Sequence, residues 1–459
     1  MASTYLTKTF SGAPTNAKKG TISLWFKLAG NDTHSTNTYY RVFTTGADTN
    51  NRTDLNITNP MHNGGGQINW TSYVGGGNNY TQSSEDFLIK DFGAYYHLVI
   101  AYDTTQAAFA NRSKIYLNGV QVNNSAWAEA NYPTQNLDLF YGNNSTPHHI
   151  ANSPHFTPRF FQGIISHFHY CDGYTYQASD FGLTDPTTGE WKINTGPSVS
   201  YGNNGFFILK DSNSVTDQSP NTNNFTVAGG TLLSTIDNPS NNFATLNPLV
   251  NNNDTLVYSN GSNTMTTSSQ WLGTTASLGM FKGKFYWEFK CTGNFMTGVS
   301  QLDSLAVQTD YLNQANTGYS SRSATGYEVI NGGNKSNNAS TSSSYGPSYS
   351  SGDLGMVAFD ATNGTLWFGK NGTWSNSATQ TEIENGTTGN AAYTGLTNEN
   401  GYIPSMSIEN STLHFNFGNG FFGTTAVSSA GTNASNIGTF EYNVPAGFTA
   451  LCTKGLNSF

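Results

Sequence analysis

Residues 352–374 constrain the fold of this chain more than any other stretch. Gly352-Asp353-Leu354-Gly355-Met356-Val357-Ala358-Phe359-Asp360 is an apolar run closed by an acid, and Asn363-Gly364 follows it. Thr365-Leu366-Trp367-Phe368-Gly369-Lys370 then leads into Asn371-Gly372 and Thr373-Trp374. Two apolar segments punctuated by Asn-Gly predict two successive β-hairpins. A type I′ turn needs positive φ at both central residues, which Asn tolerates and Gly adopts freely. A chain committed to hairpins here needs further strands to cover both of their faces.

Composition supplies them. Of 459 residues only 10% are charged, while 14% are aromatic. Helix-forming Lys, Glu and Leu are scarce, and Tyr, Phe, Trp, Thr and Val favour pleated surfaces. Disordered Asn/Ser-rich chains are poor in aromatics, so a folded all-β protein with polar loops is expected. The length exceeds one ordinary core, which predicts two domains. A net charge of −9 without any Lys/Arg cluster argues against nucleic acid as a partner. No apolar run approaches the ~20 residues that cross a bilayer, so no membrane insertion is expected. The N-terminus lacks a basic-then-apolar leader. Cys171, Cys291 and Cys452 are odd in number and far apart, which suits reduced thiols in a protein made in a cytosol.

In the first half, Ile22, Leu24 and Phe26 fall on one face of a strand. Further strands are read at Tyr96–Asp103, Lys114–Val122 and Phe161–Tyr170. Ser23-Leu24-Trp25-Phe26, Tyr96-His97 through Asp103, Tyr116-Leu117-Asn118-Gly119 and Phe161-Gln162-Gly163-Ile164-Ile165 occur in that order. Together they resemble the laminin-G/pentraxin-like members of the concanavalin A-like lectin and glucanase superfamily, with Tyr96 where tryptophan is more usual. The resemblance implies a jelly-roll sandwich over residues 1–230. From Gly163 onward, including Thr184-Asp185-Pro186 and Tyr201-Gly202-Asn203-Asn204-Gly205-Phe206, the chain is similar to tailed-phage virion proteins. The connector Asp237-Asn238-Pro239-Ser240-Asn241-Asn242-Phe243-Ala244-Thr245-Leu246-Asn247-Pro248-Leu249, placed within 231–254, strengthens that resemblance.

In the second half, Gly283-Lys284-Phe285-Tyr286-Trp287-Glu288-Phe289, Gly298-Val299, the double hairpin and Tyr402-Ile403-Pro404 recur in the order of the SPRY domain, which they resemble over 255–425. A second β-sandwich whose loops bind protein partners is implied. The tail, 426–459, also resembles the end of such phage proteins and is expected to pack on the second domain. The fold expected is therefore all-β, with two antiparallel β-sandwich (jelly-roll) domains in tandem.

Catalytic chemistry finds little support. Retaining glucanases place acids two apart on one strand, so that both face one cleft. Glu382-Ile383-Glu384 is the nearest such spacing, and it sits among Thr, Asn and Gly; Glu85-Asp86 are adjacent and would point to opposite faces. No enzyme is expected, and a glycan hydrolase is the weakest alternative. His167-Phe168-His169 would put two imidazoles on one face, with His148, His149 and His155 nearby in sequence, but no acid or Cys has a fixed ligand spacing to them. No metal site or cofactor is assigned. Laminin-G and pentraxin relatives bind Ca²⁺ through loop Asp and Asn, which leaves Ca²⁺ an open expectation. Aromatic rings among Asn, Ser and Gly remain as binding candidates: Trp70, Tyr73, Tyr80, Tyr345, Tyr349 and Trp374. Rigid rings beside small polar residues give contact area at low entropy cost, although such rings also pin loops onto a sandwich.

The resemblances imply a bacteriophage virion protein located in the particle: a fiber, spike or surface appendage that binds host-surface glycan or protein. Its other partners would be phage virion proteins. A homo-oligomer, with a trimer as the guess, follows from open sheet edges and the phage setting. The alternative is a capsid or tail decoration protein that makes only protein–protein contacts.

Overall fold

The computed structural model describes residues 4–458 apart from 31–38, 61–64, 85–86, 123–127, 157–159, 211–213, 251–254, 269–270, 303–325, 338–340 and 398. The chain divides into two compact units, Met1–Leu28 with His34–Ser234, and Ala29–Thr33 with Thr235–Phe459. Among the described residues both are built from antiparallel sheets, and the helices are single turns such as Ala178–Phe181 and Gln380–Glu384.

Unit 1 is a sandwich of a seven-stranded and a six-stranded sheet among the described residues. The larger runs from Thr226–Ala228 through Tyr5–Lys8, His148–Ile150, Tyr39–Asp48, Asn51–Thr58 and Ile68–Val74 to Gly77–Ser83. The smaller is centred on Gly163–Asp172, Lys19–Leu28 and Tyr95–Asp103. Ile22, Leu24 and Phe26 face the core, as their alternation predicts, together with Leu98, Ile100, Leu55 and Trp70. The opposite face of the smaller sheet is covered too. Val99, Tyr116 and Cys171 pack there against Ala178, Phe181, Tyr201 and Phe207.

One polar stack belongs to this covered face. Trp25 and His97 are cross-strand partners whose rings lie 4.7 Å apart and 12° from parallel. Trp191 Nε1–H donates to His97 Nδ1 at 3.0 Å, so Nε2 carries the proton and donates to Ser23 Oγ at 2.9 Å. Burial pushes this imidazole down to about 3, so it stays neutral.

Unit 2 repeats the plan with different connections. Its larger sheet runs Val257–Ser259, Thr264–Thr267, Ser411–Asn416, Lys284–Cys291, Leu354–Asp360, Thr365–Lys370, Thr373–Trp374, and Thr449–Ala450 adds in parallel to Lys284–Cys291. Phe285, Trp287, Phe289, Val357, Phe359, Leu366 and Phe368 point into the core between the sheets. Tyr286, Met356, Ala358 and Trp367 point the other way, and the tail covers them with Phe440, Val444 and Phe448. The connector belongs to this unit. Phe243 lies in the tail's cluster, and Ala244 N–H and Leu451 O are bonded at 2.9 Å.

The two Asn-Gly turns differ from one another. Lys370 pairs with Thr373 across a two-residue turn in which Asn371 (φ 48°) and Gly372 (φ 82°) are both left-handed, as type I′ requires. Asp360 instead pairs with Thr365 across four residues, of which only Gly364 has positive φ (64°). The expectation of a type I′ turn at Asn363-Gly364 is therefore wrong. Asp360 Oδ1 accepts from the N–H groups of Thr362 and Asn363 at 3.1 and 2.9 Å, which stabilises the longer loop.

The tail's layer makes a direct prediction. Phe440 is 1% exposed and meets Tyr286 edge-on with ring centroids 4.9 Å apart. Phe440→Ala should cost about 3–5 kcal/mol in a urea titration of the full chain, the range for deleting a buried Phe.

A cleft between the tail and a hairpin in unit 2

Of the six rings singled out in the sequence, five are buried. Trp70 and Tyr80 belong to the core of unit 1, Tyr345 and Tyr349 to that of unit 2, and Trp374 to the layer under the tail. Trp70 and Tyr80 sit on strands, not loops; their rings are 4.7 Å apart inside the sandwich. Tyr345 and Tyr349 fasten their segment through hydroxyls that donate to Asn390 O and Gly369 O at 3.2 and 3.1 Å. Tyr73 is half-buried and holds the Arg52 guanidinium 3.9 Å from its ring centroid. The structure brings no two of them into one exposed patch.

Trp374 does reach a concave feature. Its edge lines a cleft of about 310 Å³ in unit 2, walled by Gly372, Gln380, Glu441, Tyr442 and Asn443 and floored by Met356. Each wall has a local cause. The type I′ turn thrusts Gly372 against the Tyr442 ring, where a Cβ would come within 3.0 Å of Cδ1. Gln380 opens the helix Gln380–Glu384, whose capping box joins Thr379 and Glu382: Thr379 Oγ1 accepts from Glu382 N–H at 3.2 Å, and Glu382 accepts from Thr379 N–H at 2.7 Å. Glu382 and Glu384 thus serve a helix turn and not a strand, so the paired-acid geometry is absent from this segment.

The tail side of the cleft hangs on Glu288. This carboxylate lies under the tail and accepts from the backbone N–H of Glu441 and of Tyr442, each at 2.9 Å. Tyr286 Oη–H donates to it at 2.9 Å and Asn416 Nδ2–H at 3.4 Å. Further ties shape the loop. Ser428 donates its N–H and its hydroxyl to Glu441, and Thr432 N–H donates to Asn443 Oδ1 at 2.8 Å. The result is a polar rim around two aromatic side chains, held by backbone bonds. Such a surface can stack on an apolar ring face and hydrogen-bond to hydroxyls around it.

Sequence reasoning missed Glu288, Tyr442 and Gln380. Glu288 alternates as an outward residue in Lys284–Cys291, and an acid outward on an otherwise apolar face was the available signal. Glu85 and Asp86 lie outside the described residues. His167 and His169 flank Phe207 at a bulge in Gly163–Asp172, and Tyr201 Oη bonds His169 Nδ1 at 2.9 Å. Among the described residues no three His, Cys, Asp or Glu side chains converge as metal ligands. The three thiols are free and buried.

Comparison with known families supports the division. Residues 3–173 match the laminin-G type of the concanavalin A-like lectin/glucanases superfamily, and residues 284–420 match the SPRY domain. The chain joins a concanavalin A-like domain to a SPRY domain. Both are β-sandwiches, and the pairing points to a binding function. The SPRY match ends at residue 420, so Glu441, Tyr442 and Asn443 lie outside it. No curated protein matches the chain. Among solved structures, stonustoxin is 16% identical over 38% of this chain with a TM-score of 0.28, and the match spans only 27% of the stonustoxin chain. A human SPRY domain (12% identity, 35% of this chain, 94% of that one, TM-score 0.26) and the SPRY domain of human HERC1 (17%, 35%, 91%, 0.25) are also similar.

Glu288 makes the tail's attachment depend on pH. Burial pushes its carboxyl up to about 7, against the pull of its hydrogen bonds. The folded state then holds this proton more tightly than the unfolded chain, whose carboxyl titrates near the usual ~4.3. The associated stability is fully present below that value and is lost as pH rises through about 7. Unfolding midpoints of unit 2 should therefore fall between pH 5 and 8, and Glu288→Gln should flatten that slope.

Proposed function

We propose that this chain is a non-enzymatic bacteriophage virion protein, a fiber, spike or other surface appendage, that binds host-surface glycan. The observation that carries the reading is the cleft, where Tyr442 and the Trp374 edge lie among the polar groups of Gln380, Glu441 and Asn443. A neutral sugar presents an apolar C–H face and a ring of hydroxyls, the counterpart of that lining. The lining is also fixed beforehand by the Glu288 and Ser428 bonds, so little ordering is needed on binding. The connector 237–249 and the tail support the virion setting, since both resemble segments of tailed-phage virion proteins. The partners on this reading are other virion subunits, copies of this chain (a trimer) and host glycan, with Ca²⁺ left to experiment.

Purified protein should adsorb to host cells or their lipopolysaccharide. Tyr442→Ala should weaken adsorption about tenfold, the effect of losing an aromatic contact worth ~1–1.5 kcal/mol. Its unfolding midpoint should stay close to that of the parent chain. Binding to virions without any binding to cells would favour the decoration alternative. Release of polysaccharide fragments during incubation would restore the hydrolase.

A further inference from the structure

The cleft in unit 2 is chemically one-sided once the bonds its side chains already make are set aside. Glu441 accepts the N–H and the hydroxyl of Ser428, and a carboxylate has about four acceptor positions, so about half its capacity is unspent. Gln380 Nε2–H donates to Glu384 Oε1 at 3.0 Å, which leaves the amide oxygen of Gln380 as a second open acceptor. Asn443 Oδ1 accepts from Thr432 N–H at 2.8 Å, so its amide nitrogen is the group left to donate. Two acceptors, one of them a carboxylate, and one donor thus border the cleft beside Tyr442.

Charge is equally one-sided. Among the described residues that line the cleft, Glu441 is the one carboxylate, and there is no Lys or Arg. Lys370, beside the hairpin turn, pairs with Asp353 at 2.7 Å, and Lys284 pairs with Asp360 at 3.6 Å. From residue 371 to 459 the sequence holds five Glu and a single Lys, Lys454. Burial first, and then the carboxylates of Glu288, Glu441 and Asp353, hold the Tyr442 hydroxyl above its ordinary pKa, so the charges that bear on this side chain are negative.

We propose, building on the glycan reading above, that the cleft selects a hexosamine with a free amino group. Its ammonium lies between Glu441 and the Gln380 amide oxygen, a hydroxyl meets the Asn443 amide, and its apolar face rests on Tyr442. An ammonium offers three donors and no acceptor, which matches the two open acceptors. It also sits favourably against an aromatic face. A uronic acid would instead set a second carboxylate near Glu441 with no cation between them, and like charges repel. N-acetylation removes the charge and leaves the ring and its hydroxyls. At about 310 Å³ the cleft lies at the low end of small-ligand sites, a size for one sugar unit.

Isothermal titration of the full chain with glucosamine, N-acetylglucosamine, glucuronate and methylamine tests the assignment, at about pH 6, below the range in which such amines titrate. Glucosamine should bind about fivefold tighter than N-acetylglucosamine, the scale of a partly exposed ion pair, with glucuronate weakest. Raising salt to about 1 M should bring that ratio toward one, because screening acts on charge. Glu441→Gln keeps an acceptor for Ser428 and should lower the ratio in the same way. Equal binding of the two amino sugars by the parent chain, each weakened by Tyr442→Ala, overturns the hexosamine and leaves the glycan reading standing. Methylamine bound as tightly as glucosamine, or no sugar bound at all, overturns both. An undiminished ratio in the folded Glu441→Gln chain also overturns the hexosamine assignment.

Discussion

A sheet with apolar side chains on both faces has to be covered twice, and that requirement organises this protein. A two-layer sandwich covers only one face of each sheet. Lys284–Cys291 and Leu354–Asp360 carry Trp287 and Phe359 toward the core, but also Tyr286, Met356 and Ala358 away from it. The tail and the connector supply the missing layer with Phe243, Phe440, Val444 and Phe448. Unit 1 solves the same problem on its smaller sheet, where Phe181, Tyr201 and Phe207 lie over Val99 and Cys171. The cleft lies where this third layer, at Tyr442, meets the hairpin turn at Asn371-Gly372.

The larger sheet of unit 1 follows the other rule. Its outward side chains are polar, and Arg41, Arg52 and Asp54 form a close charged trio there. The two outer faces of unit 1 therefore differ in kind. One is apolar and covered by Phe181, Tyr201 and Phe207; the other buries a charged trio whose two guanidiniums lie 4.7 and 4.9 Å from the Phe156 ring.

Much of the fold was legible because a strand shows its faces with period two. Ile22, Leu24 and Phe26 identified a core face, and Asn118-Gly119 and Asn371-Gly372 identified hairpins whose turns have the expected left-handed pairs. The candidate site was far less legible. Trp70 and Tyr80 stand among Asn, Ser, Thr and Gly, and composition gave them the look of loop residues. Ile68, Trp70 and Ser72 nevertheless alternate inward, and that period was the better guide. Tyr442 could not have been found by pattern, because its place depends on the hydrogen bond that its backbone N–H donates to Glu288, more than 150 residues earlier in the chain. Non-local pairing of this sort leaves no periodic trace.

Glu288 grips the tail through peptide N–H groups at 441 and 442 and not through their side chains. Every residue except proline carries that donor. Glu441 is further tied by its own carboxylate to Ser428, but the grip on 442 is indifferent to the side chain there, so a substitution at 442 can change the surface while that attachment stays. New surfaces at such a position become reachable by single steps, without passing through unfolded ancestors.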